Sequence, residues 1–104
     1  MVCPGDETGD VRLHGNVEKR LTEVGEDVRR LRETLRVLDE QVAYQQGVAD
    51  DATTRAAVAG TPLADRERRE AVEDHRRLKR HRDETAARID ELTAEQDALL
   101  DRLL

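Results

Sequence analysis

Val17, Leu21, Val24, Val28, Leu31, Leu35, Leu38 and Val42 recur at alternating steps of four and three residues. That rhythm keeps one stripe of a helix turned toward a second helix, and it constrains the fold more than any other feature of the chain. A second stripe, Leu78, Thr85, Ile89, Leu92, Leu99 and Leu103, keeps the same rhythm with polar interruptions. Each of its members meets one of the first set when residue numbers are paired to sum to about 120, and a constant sum means that the two stripes run in opposite directions. The expected fold is therefore all-α, an antiparallel two-helix coiled-coil hairpin with the capacity to dimerise into a four-helix bundle.

The fold point is Gly60-Thr61-Pro62. Glycine stops a helix, threonine caps the next one, proline suits its first position, and Asp65 places negative charge in its first turn. The spacing predicts a flexible tail over residues 1–12 and a hairpin over 13–104, with a helix over 13–58, a turn at 59–61 and a helix over 62–104. Asn16 is the expected N-cap of the first helix. Gly25, Gly47 and the run Asp50-Asp51-Ala52-Thr53-Thr54 weaken it, so a break before residue 55 is an option. Toward the turn the seam changes from Val and Leu to Gln45, Ala49, Ala52, Ala56 and Ala59, residues small enough to let two helices approach closely.

Composition agrees with a narrow core. Hydrophobic residues make up 37% of the 104 positions and Tyr44 is the one aromatic, too little for a thick globular interior. Charged residues make up 40% with both signs interleaved, as on paired helices, and the net charge of -6 disfavours general nucleic-acid binding. No apolar run approaches the ~20 residues of a membrane span, and no basic-then-apolar leader is visible, which points to a cytoplasmic protein. The excess of arginine over lysine hints at a bacterial, GC-rich source.

Catalytic and metal chemistry find no footing in the sequence. It contains no serine, and its single cysteine, Cys3, stands in the predicted tail. His75 and His81 are six residues apart and so do not share a helical face, and no zinc-type spacing occurs, which predicts no metal and no cofactor. No enzyme is expected. His75 is placed opposite Gln45 as a polar pair that would fix register, Arg82 should run its stem along the seam, and Asp39 with Lys79 is the expected flanking ion pair. The acidic run over residues 83–101 is expected to face Arg20, Arg29, Arg30, Arg32 and Arg36.

Two apolar strips fall outside the seams: Val37, Tyr44 and Val48 on the first helix, and Val72, Ala86 and Leu100 on the second. Val37, Tyr44, Val48, Val72 and Leu100 are thus the candidate partner-binding residues. They point to a non-catalytic coiled-coil adaptor or regulator that binds a protein partner through helical surfaces and self-associates as a homodimer. No membrane contact or small-molecule substrate is expected. A transcription regulator is the alternative. Pro62-Leu63-Ala64-Asp65-Arg66 at the turn resembles the acidic tip of the coiled-coil arm of Gre and DksA factors, which implies contact with RNA polymerase. Asp51 and Asp65 would serve at that tip, and Arg69, Arg76, Arg77 and Arg80 form a basic face able to meet phosphates. A structural spacer is the third reading.

Overall fold

The computed structural model describes the backbone of residues 4–104 and the side chains of residues 14–104. It contains two α-helices, α1 over Pro4–Ala59 and α2 over Pro62–Leu103, and no strand among the described residues. The fold is an all-α helical hairpin. The predicted start at residue 13 falls short: α1 begins at Pro4, so the segment expected as a tail has helical backbone from that residue, and residues 1–3 lie outside the described part. Proline suits this place because the first amides of a helix have no intrahelical acceptor, and the missing N–H costs nothing there. Asn16 consequently lies inside α1 and caps nothing.

The optional break before residue 55 does not occur, and α1 is continuous to Ala59. The residues that weaken the helix there bond back onto it. Thr53 Oγ1 donates to the Ala49 carbonyl at 2.8 Å, Thr54 Oγ1 to the Asp50 carbonyl at 3.1 Å, and Gln46 Nε2 to Asp50 Oδ1 at 3.0 Å. Hydroxyls that would compete with the helix when pointed elsewhere are satisfied within it.

The turn forms as its residues dictate. Gly60 takes φ +62°, a left-handed conformation that a side chain resists, and its amide donates to the Ala56 carbonyl at 3.0 Å, closing α1. Thr61 Oγ1 then accepts the Ala64 amide at 3.2 Å while its carbonyl accepts the Asp65 amide at 3.1 Å, so Thr61 is the N-cap and Pro62 the first residue of α2.

The chain divides into two units, Met1–Leu31 with Arg88–Leu104 and Arg32–Ala87. In the first, Val24 and Val28 of α1 are buried, as are Ile89, Leu92 and Leu99 of α2, with Val17, Leu21 and Leu103 half-buried beside them. Each fully buried aliphatic side chain contributes about 1.5–3 kcal/mol. Beside this seam Arg20 grips Glu95 with two bonds, Nε to Oε1 at 2.8 Å and Nη2 to Oε2 at 2.9 Å. Opposition of signs across the helices is thus realised at Arg20, whereas Arg30 bonds Asp27 within its own helix at 2.9 Å. At Gly25 a Cβ would meet only Gln96 Nε2, at 4.0 Å, so no contact requires a glycine there.

The second unit has a different interior. Leu38 and Thr85 are buried, but the remaining buried positions are Ala49, Ala52 and Ala71, with Val48 and Val72 packed half-buried against them. Thr85 satisfies its hydroxyl on the His81 carbonyl at 2.9 Å. Two expected pairings are corrected here. Gln45 Nε2 donates to the Ala71 backbone carbonyl at 3.2 Å and not to His75, because the alanine interior brings that backbone within reach. Asp39 takes Arg82 Nε at 2.8 Å and not Lys79. Arg82 sits in the seam rhythm, lays its stem along it and delivers the guanidinium to the flank, where Nη1 also reaches Asp83 at 3.3 Å. Arg36 is held by Glu33 and Glu40 of its own helix, at 2.5 and 2.9 Å, and reaches no acid of α2.

A candidate docking groove in the second unit

In the seam rhythm of α1, Gln45 and Ala52 point toward α2, and Gln41, Val48 and Arg55 follow one flank of that line. In α2, Ala71 and Leu78 point inward, and Glu67, Asp74 and His81 follow the matching flank. Antiparallel pairing sets these two flanks side by side, and between them runs a groove. It is made of three adjoining depressions of about 330, 450 and 440 Å³; all three are lined by Gln45, the first two also share Asp74 and the last two Leu78.

The floor is apolar with one amide: Val48, Ala52 and Ala71 toward the turn, Gln45 in the middle and Leu78 at the far end. The depressions are shallow and open, and toward the turn their floor residues Ala52 and Ala71 are small. The α1 wall carries Arg55 toward the turn and Gln41, Tyr44 and Glu40 away from it. The α2 wall carries Glu67, Glu70 and Asp74 toward the turn and then Arg77 and His81. Tyr44 is 75% exposed, a large planar side chain standing at the rim with its face to water. An open groove with an apolar floor, charged walls and one exposed aromatic has the composition of a helix-docking surface.

The structure brings some of the predicted partner residues together and separates others. Tyr44 stands at the rim and Val37, 38% exposed, precedes it by two turns on the same face of α1. Val48 is corrected from an outward residue to part of the floor, half-buried against the alanine cluster. Val72 is likewise half-buried against that cluster and, by its seam position, lies on the opposite flank from the groove. Leu100, 46% exposed, belongs to the first unit.

Two features escaped the sequence reading. Ala71 is buried as a member of the second seam, seven residues before Leu78, and extending the rhythm backward by one heptad would have found it. Residues 56–64 carry no charge in a chain that is 40% charged, and Val58 and Leu63 there are 84% and 60% exposed, an apolar tip visible as a gap in the charge pattern.

The basic face is largely neutralised by its own helix. Arg69 pairs with Asp65 at 3.3 Å, Arg76 with Glu73 at 3.3 Å and Arg77 with Asp74, while Arg80 has no ion pair among the described residues. Asp65 also accepts Arg68 at 2.9 Å, and the hydrogen bond from that guanidinium holds the Asp65 carboxyl below its ordinary range. Asp65 is therefore a first-turn anchor of α2 rather than a free acidic tip residue, and Asp51 remains exposed on α1. Among the described residues no group of three His, Cys, Asp or Glu side chains could hold a metal ion, and no helix is long and apolar enough to cross a membrane. Compared with protein families, with curated proteins and with solved structures, the chain finds no match.

Proposed function

We propose that this protein is a non-catalytic, cytoplasmic coiled-coil adaptor or regulator that works by docking a helical protein surface on the second unit. The observation that carries this reading is the exposed Tyr44 ring at the rim of a groove floored by Val48, Ala52, Ala71 and Leu78. Aromatic anchors beside small-residue depressions are where protein interfaces concentrate their binding energy. A partner helix laid along the groove would bury the ring, the floor and the aliphatic stems of Arg55 and Arg77 together.

The test is a crosslinked pull-down from the native host with the tagged chain beside a Val37→Glu, Tyr44→Glu variant of equal helicity. Mass spectrometry should recover a defined protein with the wild type and lose it with the variant. Identical recoveries from both would remove the groove as the docking face.

A further inference from the structure

We propose that the occupant of the groove is the same groove of a second copy, reversed end for end about a two-fold axis that crosses both helices near Val48 and Val72. This rests on the reading of the groove as a docking face and names what docks.

A face that meets itself through such an axis must carry complementary features at equal distances on either side of it. The groove does so in shape and in charge. Along α1, Tyr44 stands four residues to one side of Val48 and Ala52, 2% exposed at the bottom of the turn-proximal depression, lies four residues to the other. Reversal therefore seats the protruding ring of each copy over the alanine floor of the other, while Val48 meets Val48. On the same wall Arg55 lies toward the turn and Gln41 and Glu40 away from it, so the guanidinium of each copy is carried to the carboxylate end of the other.

Along α2 the pattern repeats with the signs exchanged. Glu67 lies five residues on the turn side of Val72 and Arg77 five residues on the far side. Reversal places Arg77 of each copy against Glu67 of the other, with Glu70 one turn away. Asp74, nearest the axis, is already neutralised by its own Arg77, whose five donors leave bonds for a second carboxylate. Nearer the axis Glu70 and Asp74 mirror each other, an acid pair tempered by the Arg77 bound to Asp74, so the opposite-sign complementarity rests on Glu67 with Arg77 and on Arg55 with the Glu40 end. A second copy requires that complementarity.

Sedimentation of the full chain over a concentration series tests the proposal, using the wild type, Glu67→Arg, Arg77→Glu and an equimolar mixture of the two variants. Both substituted positions are exposed, and circular dichroism verifies that each variant keeps wild-type helicity. The wild type should reach twice the chain mass. Each variant alone places two like-charge pairs across the axis and should raise the dimer dissociation constant at least ~10-fold. The mixture restores both opposite-charge pairs and should return to near wild-type affinity. A wild type that stays monomeric, single variants that associate as tightly as the wild type, or a mixture no tighter than its components would each overturn self-docking. The two readings fail separately: a monomeric wild type ends self-docking alone, whereas a pull-down unchanged by the Val37→Glu, Tyr44→Glu variant ends the docking face itself.

Discussion

The first unit buries large aliphatic side chains along its seam and exposes Leu100 and Leu104 near the end of α2, whereas the second buries mostly alanines and exposes more of its apolar surface. Val24, Val28, Ile89, Leu92 and Leu99 fill one interior; Leu38 and Thr85 begin the other, and toward the turn it passes to Ala49, Ala52 and Ala71 with a glutamine amide, where Tyr44, Val58 and Leu63 stay exposed. Both interiors follow the same heptad rhythm. What differs is side-chain volume at the seam. The contrast teaches that a seam of Val, Ile and Leu stores hydrophobic free energy in the hairpin, whereas a seam of alanine yields little of it and leaves room for surface to be buried against something else.

The largest test of that contrast is a matched pair of truncations. Leu92→Ala, at a residue 2% exposed, should destabilise the chain by about 2–5 kcal/mol, and Leu78→Ala, at a half-buried groove residue, by roughly half as much or less. Urea denaturation followed by circular dichroism measures both, and equal losses would break the contrast. Next in size, Ala52→Leu enlarges a seam residue that is 2% exposed and packed in the alanine cluster, and should cost about 1–3 kcal/mol through overpacking between the helices. The same variant fills the depression proposed to receive Tyr44, so it should also weaken self-association. A more stable Ala52→Leu chain would mean that the second interior is under-filled instead of closely packed.

Gly25→Ala sharpens the comparison from the other side. A Cβ there meets one side-chain nitrogen at ordinary contact distance, and at Gly47 it meets nothing within 4 Å, so both substitutions should stabilise helix α1 by about 0.5–1 kcal/mol. Gains of similar size in both units would place the difference between them in the seams and not in local helix propensity. Gly60→Ala, at φ +62° and with nothing crowding it, should lose about 1 kcal/mol through backbone strain alone.

These contrasts mark how far the sequence could be read. The seams, the turn and its caps were legible because each rests on a local rule: a heptad step, a left-handed glycine, a threonine at N-cap, a proline at the first helical position. Gln45 with Ala71 and Asp39 with Arg82 were not. A constant-sum register places residues level with one another, but the reach of a side chain selects among neighbours within a turn of that level. Arg82 lies one residue and Lys79 two from the level of Asp39, and the Arg82 stem also follows the seam. Self-neutralisation of the basic face was hidden for a related reason. Acids three or four residues away on the same helix, such as Glu73 for Arg76, are nearer than any residue on the other helix. The groove itself was half visible: Tyr44 was evident as exposed, whereas its depression appears only once the alanines are paired across the two helices.

Acid titration separates the units by the smallest effect. The Arg20 guanidinium, by hydrogen bond and then by charge, holds the Glu95 carboxyl below its ordinary value near 4.5. Arg36 does the same for Glu33, through a bond within α1. A carboxylate whose folded pKa is depressed stabilises the folded state above its unfolded pKa, and that contribution disappears as pH falls through the lower folded value. The melting temperature should therefore be flat from neutral pH down to about 5 and fall below about 4. Glu95→Gln should remove more of this acid slope than Glu33→Gln, because Glu95 joins α1 to α2 whereas Glu33 is bonded within one helix. The Glu33 pair is exposed and the Glu95 pair half-buried at the surface, so high salt should shrink both contributions, that of Glu33 more. Equal slopes for the two variants would show that the fork between Arg20 and Glu95 adds nothing that an intrahelical pair does not, and the advantage of the first unit would then rest on its aliphatic seam alone.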